Sequence, residues 1–256
     1  MEAFNFSKGL TVLSQTPMVC DKHGPYTEIQ YKQFTKGCPV CAEIDLKKRE
    51  EESRIEGERK RREQHKNWLL QMASIPPRFA DRHLNNFRVG NDGQRKALAI
   101  SQAYVDGFSR ESGQSLILCG SVGAGKTHLA VGIVQGLMEK GVVCVFASVI
   151  GAIRSIKDTY RRDSEISERQ ALEKLIEPDL LVLDEVGVQF GSEAEKMILF
   201  EIINGRYENM KSTIVISNLA IGALDDFLGE RVVDRMREGG GKVVIFDWDS
   251  YRRQAA

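Results

Sequence analysis

Residues 120–127 read Gly-Ser-Val-Gly-Ala-Gly-Lys-Thr, directly after the apolar run 116–119 and directly before a stretch, 128–139, with helical spacing of its apolar residues. A strand, a glycine-rich turn and a helix in that order leave few architectures open, because a strand apolar along its whole length belongs inside a sheet covered on both faces. The pattern G-x-x-x-x-G-K-[ST] constrains the chemistry as well. Its glycines admit backbone angles at which successive N–H groups converge on phosphate oxygens, and the following helix adds the positive end of its dipole. The loop is therefore read as a cradle for ATP or ADP built from Gly120, Ser121, Val122, Gly123, Ala124, Gly125, Lys126 and Thr127, with His128 next to it. Lys126 is expected to neutralise the β and γ phosphates, and Thr127 to hold Mg²⁺.

Four more apolar runs, 142–147, 180–183, 213–217 and 243–246, alternate with amphipathic stretches. That alternation predicts an α/β fold with a parallel sheet covered by helices. The run beginning at residue 180 ends in Asp184-Glu185, two carboxylates at the C-terminal end of a strand, where open α/β sheets bind their ligands. Asp184 is expected to bind Mg²⁺ through water, and Glu185 to orient and polarise the water that attacks the γ-phosphate. The run 213–217 ends in Asn218, an amide able to hold the same water or the γ-phosphate.

The first 41 residues differ in composition, with glycines at 9, 24 and 37 and prolines at 17, 25 and 39. They read as loop-like, with too little apolar periodicity to fold without a staple. Cys20-Asp-Lys-His23 and Cys38-Pro-Val-Cys41 supply one. Three thiolates and an imidazole make a closed tetrahedral zinc site, and four protein ligands leave no position open for catalysis. Cys119 and Cys144 lie in predicted strands and read as buried thiols.

A charged run, 42–73, follows, in which Glu50 with Arg54, Glu56 with Lys60 and Glu58 with Arg62 are spaced i, i+4 as on a solvated helix. It ends on the apolar cluster Trp68, Leu69, Leu70 and Met72 and is closed by Pro76 and Pro77. The expected organisation is a zinc-binding module over 1–45, a charged helical linker over 46–77 and an ATPase domain over 78–256.

Lys and Arg total 36 against 36 Asp and Glu, so nucleic-acid contact would have to come from a local patch. No run approaches the length of a membrane span, and Glu2, Asn5 and Lys8 interrupt the segment where a secretory leader would be apolar. A cytoplasmic location without membrane contact is expected.

Several blocks after residue 79 are more specific than the phosphate loop: Val186-Gly-Val-Gln189, Ser217-Asn218, Gly229-Glu-Arg231-Val-Val-Asp-Arg235-Met-Arg237 and Trp248-Asp-Ser-Tyr-Arg252. Together they resemble the bacterial DnaC helicase loaders and their phage relatives, of the AAA+ superfamily. The resemblance implies an ATPase that assembles into an ATP-dependent oligomer, binds a DnaB-type replicative helicase and delivers it onto single-stranded DNA. It also implies that Arg231 reaches the γ-phosphate held by a neighbouring protomer and that Arg252 senses the nucleotide in cis. Arg154, Lys157, Tyr160, Arg161 and Arg162 match a stretch that contacts single-stranded DNA in that family. The cysteine hooks depart from the best-known bacterial loader and suit some phage-type loaders. A transposition helper ATPase of the IstB type, acting on double-stranded DNA with a transposase, stays open as the alternative.

Overall fold

The computed structural model describes residues 11–187 and 192–251, with the side chains of 62, 63 and 65–72 left aside. Two compact units divide between Gln64 and His65.

In the first unit, β1 (Val12–Cys20) and β2 (Gly24–Tyr31) form an antiparallel hairpin, and a short β3 (Thr35–Lys36) pairs with β2. The loop-like reading of this segment is thereby corrected. Neither face of β1 is covered, so its residues carry no core-facing alternation, and its order comes from pairing with β2. Pro17, which has no ladder donor, is tolerated because β1 is an edge strand. The helix α1 (Pro39–Ala73) starts with proline in its first turn, where the missing N–H costs nothing. It is laced by ion pairs, though not all the expected ones: Arg54 binds Glu51 at 2.7 Å and Glu58 at 2.6 Å, where the sequence spacing pairs it with Glu50. The helix stops at Ala73, and Ser74 takes a left-handed φ of 51°, so the chain turns before either proline is reached.

The second unit is built on five parallel strands: β4 (Leu116–Gly120), β5 (Cys144–Ser148), β6 (Leu180–Val186), β7 (Ser212–Ser217) and β8 (Lys242–Phe246). Their order across the sheet is β5-β6-β7-β4-β8. These are the five runs expected from the sequence. Alternation along each strand divides two cores. Leu116, Leu118, Val182, Ile214 and Ile216 face one side with α2 (Asp92–Asp106) and α3 (Lys126–Glu139). Ile117, Leu181, Leu183 and Val215 face the other, with α4 (Val149–Lys157), α5 (Glu168–Ile176), α6 (Glu193–Glu208), α7 (Ile221–Leu228) and α8 (Glu230–Arg237). Each fully buried Leu or Ile contributes roughly 1.5–3 kcal/mol relative to exposure.

One charge lies inside the second core. Arg206, on α6, is fully buried. Its guanidinium donates to the carbonyls of Leu175, Ile176 and Pro178 at 2.9 Å, to Thr213 Oγ1 at 3.0 Å, and to the Ser212 carbonyl. The carbonyls that α5 leaves unpaired at its C-terminal end thus find a donor, as buried carbonyls must. Burial holds the Arg206 side chain down at about 9.

Candidate nucleotide and metal sites

The glycines of the phosphate loop take the angles their role needs: φ is 116° at Gly120, 76° at Gly123 and 101° at Gly125. A Cβ on Gly120 would stand 2.4 Å from the Phe246 carbonyl oxygen, and one on Gly125 would stand 2.7 Å from the Phe87 ring. Lys126, only 5% exposed, folds back so that Nζ donates to the carbonyls of Gly120 at 2.8 Å and Ser121 at 2.7 Å. Burial pulls its ammonium down to about 8, against the opposing pull of Asp184.

Thr127 Oγ1 donates to Asp184 Oδ2 at 3.1 Å, which brings the first turn of α3 and the end of β6 together. Burial is the main cause that raises the Asp184 carboxyl above its ordinary range. Pairing between β6 and β7 slips by one residue between Leu183 and Val186. Such a bulge re-aims side chains at a sheet end. Here it includes Glu185, which is exposed, takes a left-handed φ of 66°, and donates its backbone N–H to Asp184 Oδ1 at 2.8 Å. A glutamate in that backbone region costs about 1 kcal/mol or more, and such strain gathers at functional sites.

The remaining sequence-predicted residues are placed as follows. Asn218 is exposed just after β7, at the same sheet end as Asp184. His128 is committed to the His83 carbonyl and Asn86 Oδ1, both at 2.9 Å, and meets Phe87 edge-on at 5.2 Å. It therefore braces the segment that packs on Gly125. Arg231 is exposed in the first turn of α8, whereas Arg235 donates to Asn204 and stacks on Tyr207, 5.1 Å from the ring centre. Arg252 and Gln189 lie outside the described residues.

Of the candidate DNA-contacting residues, Arg154 and Arg162 are exposed. Lys157 pairs with Glu195 at 2.6 Å, Tyr160 donates to Glu168 at 2.7 Å, and Arg161 lies 3.6 Å from Asp163. The patch is less cationic than a count of its arginines and lysines implies.

In the first unit, Cys20 ends β1 and His23 lies in the turn before β2, while Cys38 immediately precedes α1 and Cys41 lies in its first turn. Four ligand atoms on a tetrahedral zinc ion stand about 3.6–3.8 Å apart, given bonds of about 2.3 Å to sulfur and 2.1 Å to nitrogen. The His23 Nδ1 atom lies 3.6 Å from Cys20 Sγ, 3.7 Å from Cys38 Sγ and 3.3 Å from Cys41 Sγ, and Cys20 and Cys41 are 3.7 Å apart. All four ligand atoms lie within 4.8 Å of one another. The Lys22 backbone N–H holds the Cys20 thiol down at about 6, while its hydrogen bond to Cys20 drives Cys41 up to about 11. Three sulfurs this close resist joint ionisation unless a cation sits among them. The donor set and its spacing fit zinc.

With this geometry in view, comparison with known proteins decides the family. The model for the IstB-like ATP binding proteins matches residues 47–256. The chain belongs to that family. Within it the chain is of DnaC type: the replicative helicase loader DnaC of Escherichia coli (strain K12) is 37% identical over 195 residues, covering 76% of this chain and 79% of the relative. The crystal structure of the DnaC helicase loader superposes with a TM-score of 0.61 at 28% identity, covering 67% of this chain and all of that one. A replication initiator, DnaA, bound to AMPPCP and single-stranded DNA, superposes at 0.57 and 25% identity, covering 69% of this chain and 52% of its own. The fold is thus an AAA+ P-loop ATP-binding domain, and among the described residues no helix is long and apolar enough to cross a membrane.

Sequence reasoning missed three features of the site. It noted the 248–252 block but not that Trp248 Nε1 donates to the Ala124 carbonyl at 2.9 Å. It gave no role to Phe87, whose only signal is an aromatic residue in a polar stretch. Arg206 was legible in principle, since it falls on the same helical stripe as Leu199 and Ile202.

Proposed function

We propose that the chain is an ATP-hydrolysing loader that binds a replicative helicase of the DnaB type through its N-terminal unit and delivers it onto single-stranded DNA. The observation that carries this reading is the 37% identity to the E. coli loader over 195 residues, three-quarters of this chain. The N-terminal hooks, the exposed ion-paired helix and the residues around Arg154 support it as a tether and a DNA-facing surface.

In this reading Lys126 exchanges the carbonyls of Gly120 and Ser121 for phosphate oxygens, whose negative charge favours the ammonium that burial disfavours. Thr127 and Asp184 would hold Mg²⁺, which supplies charge to neutralise the β and γ phosphates. Glu185, turned out of the sheet by the bulge, orients the attacking water, and Asn218 holds that water or the γ-phosphate. Arg252 is assigned to sensing the nucleotide in cis. Organised in this way, 1–45 is the zinc-bound partner module, 46–77 the linker and 78–256 the motor.

Arg231 is assigned to the neighbouring protomer's γ-phosphate, because it is exposed while Arg235 is held by its own chain. An Arg231→Ala protein and a Lys126→Ala protein, each inactive alone, are expected to recover partial ATPase activity when mixed, since a mixed interface contains one complete site. Parental turnover by the Arg231→Ala protein alone would discard this arginine and turn attention to Arg235, whose stacking on Tyr207 would then have to release on assembly.

The function itself is tested by capture of the cognate replicative helicase on immobilised protein, with and without ATP. Nucleotide-dependent capture is expected. The family model's IstB-like description keeps a second reading open. Absence of capture, together with ATP-dependent binding to double-stranded but not single-stranded DNA, would favour a transposition helper.

A further inference from the structure

The end of β8 and the segment after it lie against the phosphate loop at Phe246, Trp248, Ser250 and Tyr251. The Phe246 carbonyl accepts from Ser121 N–H at 2.7 Å, Trp248 Nε1 donates to the Ala124 carbonyl at 2.9 Å, and Tyr251 N–H donates to the Gly123 carbonyl at 3.1 Å. Ser250 sits so close that a Cβ on Gly123 would stand 2.1 Å from its hydroxyl. Arg88 holds the far end of the segment, bonding the Tyr251 hydroxyl and lying 5.4 Å from its ring centre. The indole itself is wedged: its ring centre is 4.8 Å from that of Phe246, and a Cβ on Gly93 would stand 2.9 Å from Cε3.

A phosphate-binding loop works by presenting N–H groups inward, which requires its carbonyls to point outward and find partners elsewhere. The carbonyls of Gly123 and Ala124 find theirs in this strap, and the peptide planes they fix are those that set the N–H groups of Ala124 and Gly125. We propose that Trp248 is a positioning residue of the nucleotide site: its indole N–H holds the Ala124 peptide in the anion-binding orientation, so nucleotide occupancy and the state of the strap are linked. The inference rests on the ATP-binding reading of residues 120–127 and goes beyond it by assigning a role to a residue that touches no phosphate.

Trp248→Phe keeps a ring against Gly93 and Phe246 and removes only the donor. Its affinity for ATP is expected to fall about three- to ten-fold, the equivalent of one neutral hydrogen bond, while kcat at saturating ATP stays near the parental value. Gly93→Ala displaces the indole from behind while leaving every residue of loop and strap unsubstituted, and places a better helix former in α2. Its Cβ also comes within 3.3 Å of the Asn91 cap, so its thermal midpoint is measured alongside. The same loss of affinity with an unchanged midpoint is expected. Since the chain has 2 tryptophans, a Trp68→Phe background isolates the Trp248 emission, which should shift on adding ATP or ADP. Parental ATP affinity in both variants, or an emission deaf to nucleotide, overturns the positioning role. Failure of the parental protein to bind ATP would instead overturn the site reading beneath it.

Discussion

A Glu185→Gln protein is expected to bind ATP with parental affinity and to hydrolyse it at least about 100-fold more slowly, the usual contribution of a well-placed general base. The substitution preserves size and leaves the bulge in β6 intact, so the left-handed backbone at residue 185 is no worse accommodated than before. Lys126→Ala separates the two steps from the other side. It removes the one ammonium in the loop, now bonded to Gly120 and Ser121, and nucleotide binding itself should be lost. Equilibrium binding of a fluorescent ATP analogue and steady-state phosphate release measure the pair. Unimpaired turnover in Glu185→Gln would remove this residue from the chemistry and leave Asn218 to hold the water alone.

The second large effect concerns the Cys20, His23, Cys38 and Cys41 cluster. Elemental analysis should find one zinc per chain, and Cys38→Ser should abolish it. Zinc contributes an apparent ~10–16 kcal/mol in finger peptides, far more than the exposed strands of this hairpin can offset. Hydrogen exchange over 11–36 should therefore rise to the unprotected limit in the variant, and in the parental protein treated with a strong chelator. ATP binding by the second unit should be unaffected, which guards against general unfolding as the cause. Full zinc content in Cys38→Ser would mean that the ligands are wrongly assigned.

The central strands β4, β6 and β7 were legible because both of their faces are buried, so each reads as a continuous apolar run; β8 is apolar too, although at the sheet edge its Ile245 is exposed. The loop and the carboxylate pair were legible because their spacing follows from backbone geometry and charge. The β1–β2 hairpin was not, since strands exposed on both faces carry no alternation and a proline at 17 argues against one. The contacts of Trp248 and Phe87 with the loop join residues more than 35 positions apart, and no local pattern reports such pairs. The bulge at Glu185 is equally invisible, because it is a property of the pairing between β6 and β7.

The buried Arg206 also bears on the accuracy of the site. An apolar helix stripe can slide along a sheet by one turn, about 5.4 Å, and still bury its side chains. A helix carrying this guanidinium has a single register, since any other would strand a charge among groups that cannot accept from it, at roughly 3–5 kcal/mol. Asn204 and Tyr207 flank Arg206 on α6, and they are the two residues that hold Arg235 of α8. The angle at which α8 offers its arginines is therefore indexed, through one helix, to the carbonyls at the end of another: the lock on α6 serves as the gauge for α8.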